Sequence, residues 1–210
     1  MADLKTDLKK ALEELRKGKE RKFDQTVDLI INLQKVDLKK TTLNVIVNVP
    51  HQVKEKKIAG FLESDNKNVD TITPEQFKKY NDKKKLKKLV ESYDFFLAQG
   101  SLMPKIATTF GRALGPAGKM PSPQLGIILN ADDKAINEVK AKISNSIKIK
   151  VKEASIKLAI GKQSMKDEDI IENINTIYKT VLKHLPREKE NVKNVEVKFT
   201  MTKPQKISIR

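Results

Sequence analysis

Hydrophobic positions recur along this chain with two different periods, and the period changes twice. Leu4, Leu8, Leu12 and Leu15 return every three or four residues, which predicts an amphipathic first helix with Gly18 placed to end it. In "TVDLIINL" the apolar positions are Val27, Leu29, Ile31 and Leu33; in "TLNVIVNV" they are Leu43, Val45, Val47 and Val49. Strict alternation predicts strands with one buried face. Asp28, Asn32, Asn44 and Asn48 fall on the opposite faces, and Pro50 closes the second strand.

Past "HQVKEK" the alternation stops. "KIAGFLES", "NVDTIT" and "DFFLAQ" are short apolar runs, as in strands covered on both faces. Thr73-Pro74-Glu75 has the chemistry of a helix start and leads into "FKKYNDKKKLKKLVESY". "LMPKIATTFGRAL" predicts another helix, "GRALGPAGKMPSPQLG" a Gly/Pro-shaped loop, and "IILN" a strand. Asn130 or Asp132 then caps a helix carrying Ala135, Ile136 and Val139. Strands alternating with helices predict a small parallel α/β unit.

Alternation resumes in "SIKIKVKEASIKLAIGK", which reads as a hairpin turning at "KEA". Ser164, three residues before Asp167, resembles a capping box. It would open a helix bearing Ile170, Ile171, Ile174, Ile177, Val181, Leu182 and Leu185, stopped by Pro186. A last strand, "VEVKFT", leads into "MTKPQKISIR". The two ends thus share one pattern and the middle has another. The predicted organisation is α/β with two domains: a discontinuous α+β domain of residues 1–54 and 147–210, and a domain of residues 55–146 inserted into it. Two chain crossings between them predict a hinge.

Composition narrows what such a molecule does. The 210 residues contain no Cys, which excludes disulfides, zinc fingers and thiol catalysis. Aromatic residues make up 5% and Trp is absent, so the expected core is aliphatic. "MADLKTDLKK" has no apolar stretch of the kind a secretory signal needs, and no run is long enough to span a membrane. Lys and Arg outnumber Asp and Glu 43 to 27, a net charge of +16 that points to a polyanionic partner, nucleic acid before a membrane surface. Residues 1–54 and 147–210 together carry +11 of it. The discontinuous domain is therefore the expected nucleic-acid binder.

Little of the sequence has the chemistry of an enzyme. "GRALGPAGKMPSPQLG" resembles a phosphate-cradling loop, but Ala113 stands where that motif needs its first Gly, and Met120 where a Ser or Thr hydroxyl must ligate magnesium. His51 and His184 lack metal-ligand spacing, and Asp132-Asp133 reads as the first turn of a helix. The Lys-rich run from Lys78 to Lys88 reads first as a solvated helix face and alternatively as a source of nonspecific attraction for phosphates. In "IKIKVK", Lys148, Lys150 and Lys152 project at about 7 Å intervals, which suits a phosphate track and equally an ordinary exposed strand face. Phe23 in "KFDQTVD", beside Arg21 and Lys22, reads on its own as a core residue and alternatively as a platform for a sugar or base. "KFTMTKPQ" brings Thr hydroxyls, a Met and a Lys-Pro turn to a strand end, where hydroxyls can reach a ribose 2′-OH and Met can cover a sugar edge.

Taken together, "KFDQTVDLIINL" (22–33), "YDFFLAQGSLMPKI" (93–106), "GRALGPAGKMPSP" (111–123), "IGKQSM" (160–165) and "TMTKPQ" (200–205) resemble the ribosomal protein L-one family in its archaeal and eukaryotic form, over essentially the whole chain. The resemblance implies two α/β domains, the inserted one Rossmann-like and three-layered with no nucleotide or other cofactor. It implies an RNA-binding structural protein of the cytoplasmic ribosome, a monomer when free, with no membrane partner. Such proteins hold large-subunit rRNA through the discontinuous domain and form a mobile stalk near the exit site, assisting release of deacylated tRNA. Some also repress translation by binding their own mRNA.

Residue by residue, the resemblance makes Phe23 an RNA contact, reversing its reading as core. Lys22, Thr26 and Asp28 belong to the same motif, and Thr200, Met201 and Lys203 to the C-terminal one. Thr202 stands where the family has Gly, so that either a close backbone approach is loosened or the hydroxyl replaces it. Asn194 stands where the family has Ser. Lys119, Lys148, Lys150 and Lys162 are further candidate contacts. The competing expectation is a nucleotide-dependent enzyme acting on RNA through the inserted α/β domain.

Overall fold

The computed structural model describes residues 2–19, 21–36, 44–80, 82–123, 125–129, 132–151 and 153–208. Leu43, Asn130 and Lys152, and the side chain of Leu4, lie outside the described residues. The chain divides into two compact units, Met1–Lys54 with Asn145–Arg210, and Glu55–Ser144.

The discontinuous unit contains α1 (Ala2–Arg16), β1 (Thr26–Leu33), β2 (Asn44–Asn48), β7 (Ser146–Lys150), β8 (Ser155–Lys162), α5 (Asp167–His184), β9 (Val192–Phe199) and β10 (Gln205–Ile207). Its main sheet has the order β10-β9-β1-β8 and is antiparallel throughout. Alternation along β1 buries Val27, Leu29, Ile31 and Leu33 on one face. Val195, Val197 and Phe199 of β9 do the same, and these side chains pack with Leu8, Leu12 and Leu15 of α1 and the Ile row of α5. Helices cover that face, whereas Asp28, Ile30, Asn32, Glu196 and Lys198 alternate onto the other and remain half-buried.

The predicted hairpin does not form. β7 pairs with β2 in a separate two-stranded ribbon, whereas β8 pairs with β1. The alternation of "SIKIK" and "SIKLAIGK" was read correctly as strand, but alternation does not name a partner. Val47, Val49 and Ile149 of the ribbon join the same core. β10 was not anticipated in "MTKPQKISIR"; Pro204 precedes it, and it lies at the sheet edge where a short strand is tolerated. Ser164 is not the helix cap. Lys166 holds that position with no side-chain bond, and Ser164 is turned toward Asp24 instead.

The continuous unit holds a parallel sheet of β3 (Ile58–Phe61), β4 (Asp70–Ile72), β5 (Phe95–Gln99) and β6 (Ile127–Ile128) in the order β4-β3-β5-β6. It also holds α2 (Lys83–Ser92), α3 (Met103–Ala117) and α4 (Asp133–Ser144). All four residues of β3 are buried, as a strand covered on both faces requires. The core of this unit is largely aliphatic, as expected, but holds one aromatic cluster. Phe61, Phe77, Phe96 and Phe110 are buried together, with the Phe61 and Phe110 rings 4.9 Å apart and those of Phe77 and Phe110 5.0 Å apart. An average over the chain concealed that five of its seven Phe lie in this unit, four of them in one buried cluster.

The helix expected from Thr73 is two elements. Pro74–Tyr80 is a 3₁₀ helix, and α2 starts afresh where the Asp82 carboxylate accepts from Lys84 N–H. α3 runs further than expected and takes in Gly111 to Ala117, so the first half of the supposed Gly/Pro loop is helical. Its end is a Schellman motif: Gly118 is left-handed (φ 69°), Gly118 N–H donates to Gly115 O, and Lys119 N–H donates to Leu114 O. Gly126 is the other glycine the backbone requires. Its φ is 115°, and a Cβ there would sit 3.0 Å from Phe96 O.

Candidate nucleic-acid interface

The open ends of β1, β8 and β9 come together at one edge of the discontinuous unit. Register places Thr26 opposite Lys162 and Val27 opposite Phe199. Three loop segments therefore meet: 21–26 entering β1, 161–165 leaving β8, and 199–203 leaving β9. Sheet pairing alone aligns them; side chains then lock them.

Gln25 is the centre of the lock. It is 2% exposed, its Oε1 accepts from Met201 N–H at 3.1 Å, and its Nε2 donates to Gln163 Oε1 at 3.2 Å. Gln163 N–H donates to Gln25 O, completing a clasp across all three segments. Beside it, Thr26 N–H donates to Thr200 Oγ1 at 3.0 Å, and Thr200 N–H donates to Thr26 O. The Asp24 carboxylate accepts from Ser164 N–H and Oγ, with the Lys162 ammonium 3.8 Å away. Arg16, at the end of α1, donates to Asp167 Oδ1 and to the carbonyls of Gln163 and Met165. Buried or charge-assisted bonds of this kind hold loop geometry far better than exposed neutral ones.

This lock displays apolar surface where a chain ordinarily hides it. Among the described residues three large hydrophobics are strongly exposed, and two are here: Phe23 at 52% and Met201 at 57%. Phe23 is therefore not a core residue. Met201 is tied through its N–H to Gln25, two positions after Phe23. Around them Arg21, Lys22 and Lys203 are exposed, so an aromatic face, a thioether and cations share one edge.

The remaining candidates separate. Thr26, Thr200 and Lys162 stand in the cluster, and the Thr200 hydroxyl is already used by the fold. The Thr202 hydroxyl turns inward: it accepts from Phe199 N–H at 2.9 Å, and its backbone φ is not left-handed. A glycine's freedom is not needed there, and the hydroxyl caps the turn instead. Asp28 lies one step along β1 on the open sheet face, opposite Lys198; burial raises its carboxyl pKa, and Lys198 opposes that rise. Asn194 is six residues back along β9, roughly 20 Å from Thr200, opposite Asn32. Its Nδ2 donates to Glu196 Oε1. Lys148 and Lys150 stand on the β2–β7 ribbon, in a different sheet from the strand-end cluster.

Lys119 belongs to the other unit, where its ammonium donates to Val90 O at 2.6 Å and Tyr93 O at 2.8 Å. It caps the end of α2, so its charge is already engaged by the fold. The same finding disposes of the phosphate loop, because the Gly118-Lys119 pair terminates a helix rather than opening one. Gln25, Asp24, Arg16 and Gln163 are positioning residues that sequence reasoning missed. A polar residue immediately before an alternating strand, with Gln163 at the mirrored strand end, was the only available signal for Gln25.

No group of three or more His, Cys, Asp or Glu side chains is placed to hold a metal ion among the described residues, and no described helix is long and apolar enough to cross a membrane.

Comparison with known proteins agrees with the geometry in extent. The profile of the Ribosomal protein L1p/L10e family matches residues 8–203. The chain is similar to the large ribosomal subunit protein uL1 of Nanoarchaeum equitans, with 35% identity over 89% of this chain and 92% of that one. It is similar also to uL1 of Archaeoglobus fulgidus (37% identity, 94% and 95%) and of Pyrobaculum islandicum (35%, 94% and 90%). These relatives are named as ribosomal proteins rather than enzymes. A match spanning both units and all three segments of the strand-end cluster leads to one conclusion: the chain belongs to the ribosomal protein L1p/L10e family.

Proposed function

We propose that this chain is a structural component of the large ribosomal subunit that grips large-subunit rRNA with the strand-end edge of the discontinuous unit. The observation that carries this reading is the exposure of Phe23 and Met201 on a hydrogen-bonded framework ringed by cations. A folded RNA offers what such an edge lacks: ribose and base faces for the ring and thioether, phosphates for Lys22, Lys162 and Lys203. The clasp through Gln25 holds the edge in shape before RNA arrives, so little ordering entropy is lost on binding.

The same edge would bind the chain's own mRNA where that message carries an rRNA-like fold, giving translational repression with no second site. The basic surface and the family's place in the ribosome support a contact with deacylated tRNA and a part in its release. On this reading the protein works in the cytoplasmic ribosome and needs no cofactor.

The test is binding to an rRNA stalk fragment over a range of salt. Neutralising about five phosphates gives a log–log slope of about −4.5. A flat salt dependence, or a free nucleotide that stabilises the protein while the rRNA fragment does not, would refute the proposal. Competition between the fragment and the leader mRNA decides repression, and titration with deacylated tRNA decides the tRNA contact.

A further inference from the structure

The Lys-rich run of the continuous unit has no part in the reading above. Two of its lysines, Lys83 and Lys87, border a groove. α2 and α3 leave a groove of about 710 Å³ between them. Lys83, Leu86, Lys87 and Val90 form one face of α2 at helical spacing, and Arg112 and Ala113 stand on α3 across from them. Val90 is buried, and Leu86 and Ala113 are half-buried. The floor is thus apolar and both banks are cationic. Among the described residues no carboxylate lines the groove; Glu91 of α2 faces Lys87 at 3.9 Å.

We propose that this groove is a docking site for an acidic amphipathic helix of a partner protein. Lys83 to Val90 spans two turns, about 10 Å, which matches apolar anchors at i, i+3, i+4 and i+7 on the incoming helix. Carboxylates flanking those anchors meet Lys83 and Lys87 on one bank and Arg112 on the other. The charge is complementary to an acidic partner, and the apolar floor selects peptide over RNA. A phosphate backbone would gain nothing from covering Leu86, Val90 and Ala113. Tyr80, Thr108 and Thr109 complete the lining; the Tyr80 ring packs 5.9 Å from that of Phe110, and the Thr108 hydroxyl already donates within α3 to Lys105 O at 2.9 Å. This surface does not depend on the rRNA reading, because every lining residue belongs to the continuous unit.

The test uses the full chain and a fluorescein-labelled, helix-forming peptide with Leu at the four anchor positions and Glu beside them. Controls are the peptide with Lys for Glu, the peptide with Ser for Leu, and a single-stranded RNA oligonucleotide. Anisotropy gives affinity, and NMR of the Leu86, Val90 and Ala113 methyls locates the contact. Expected is saturable binding of the acidic peptide with shifts at those methyls. Lys83→Glu with Lys87→Glu weakens it about tenfold or more, and the Lys-bearing peptide then gains on the double variant. Ala113→Arg, which fills the floor without touching the α2 lysines, also blocks binding. Circular dichroism and retained amide-exchange protection in β3 to β6 show that the unit carrying each variant is folded. The proposal is overturned if the acidic peptide binds no better than either control peptide, or if the methyls respond to RNA and not to peptide.

Discussion

Replacing Gln25 by Ala separates the positioning of the RNA edge from contact with RNA. The side chain is 2% exposed and makes two neutral hydrogen bonds, to Met201 N–H and Gln163 Oε1. Each contributes about 0.5–1.5 kcal/mol, so Gln25→Ala destabilises the discontinuous unit by about 1–3 kcal/mol in all. The loss is concentrated in the turn 199–202, where Gln25 Oε1 accepts the Met201 N–H. Hydrogen exchange at the Met201 amide therefore accelerates by about tenfold or more, each tenfold being 1.4 kcal/mol. Affinity for the rRNA stalk fragment falls with it, since Thr200 and Met201 must be re-ordered on binding. Met201→Ala behaves differently. Its side chain is 57% exposed, so stability and amide protection hardly change, while covering the thioether with RNA no longer gains about 1 kcal/mol and affinity falls roughly fivefold. The measurements are amide exchange by NMR and fluorescence anisotropy with the labelled fragment. Unchanged protection of the Met201 amide in Gln25→Ala would refute the clasp. Lost protection with unaltered affinity would remove the 199–202 turn from the interface.

Gly111→Ala in α3 stabilises the continuous unit by about 0.5–1 kcal/mol, because nothing lies within 4 Å of the added Cβ and helices favour Ala; a denaturant midpoint that fails to rise contradicts this. Lys119→Met uncaps Val90 O and Tyr93 O and lowers stability by about 1–2 kcal/mol, with rRNA affinity unchanged in the binding assay. The folded Asp28 carboxyl titrates above its ordinary 3.8, so the folded chain holds that proton more tightly than the unfolded one. Its favourable contribution is present below the unfolded value and lost as pH rises through the folded one. Asp28→Asn accordingly stabilises near neutral pH and confers no gain in strong acid, as denaturation across a pH series will show.

Much of this was legible from local pattern. The buried faces of β1 and α5 follow directly from the spacing of Val27 to Leu33 and Ile170 to Val181, because burial enforces periodicity. What pattern did not carry was pairing and direction. "SIKIK" and "SIKLAIGK" fit a hairpin as well as two separate sheets, and only tertiary packing of β2 and β1 decides. Phe23 is ambiguous for the same reason, since an apolar residue at a strand entrance can point either way. Lys119 illustrates the converse. Its charge suggested a ligand, yet the nearest unsatisfied groups were carbonyls at the end of a helix distant in sequence. Motif resemblance pointed to Phe23, Thr200 and Met201, whereas Gln25 emerged only from its hydrogen bonds, which join partners 138 and 176 positions apart.

That separation has a consequence for how the protein comes into being. During synthesis Phe23 emerges long before Thr200, and β1 waits for β8 and β9, the strands it pairs with on either side. The parallel sheet has all its strands between Ile58 and Ile128 and can assemble meanwhile. The nascent chain thus displays basic charge early and its ordered RNA edge only last, because long-range pairing must await the distant segment. A chain arrested at Leu185 should show exchange protection in β3 to β6 and no salt-resistant hold on the stalk fragment. On the proposed function, recognition is thereby timed by translation itself: an unfinished copy would not occupy the site reserved for a finished one.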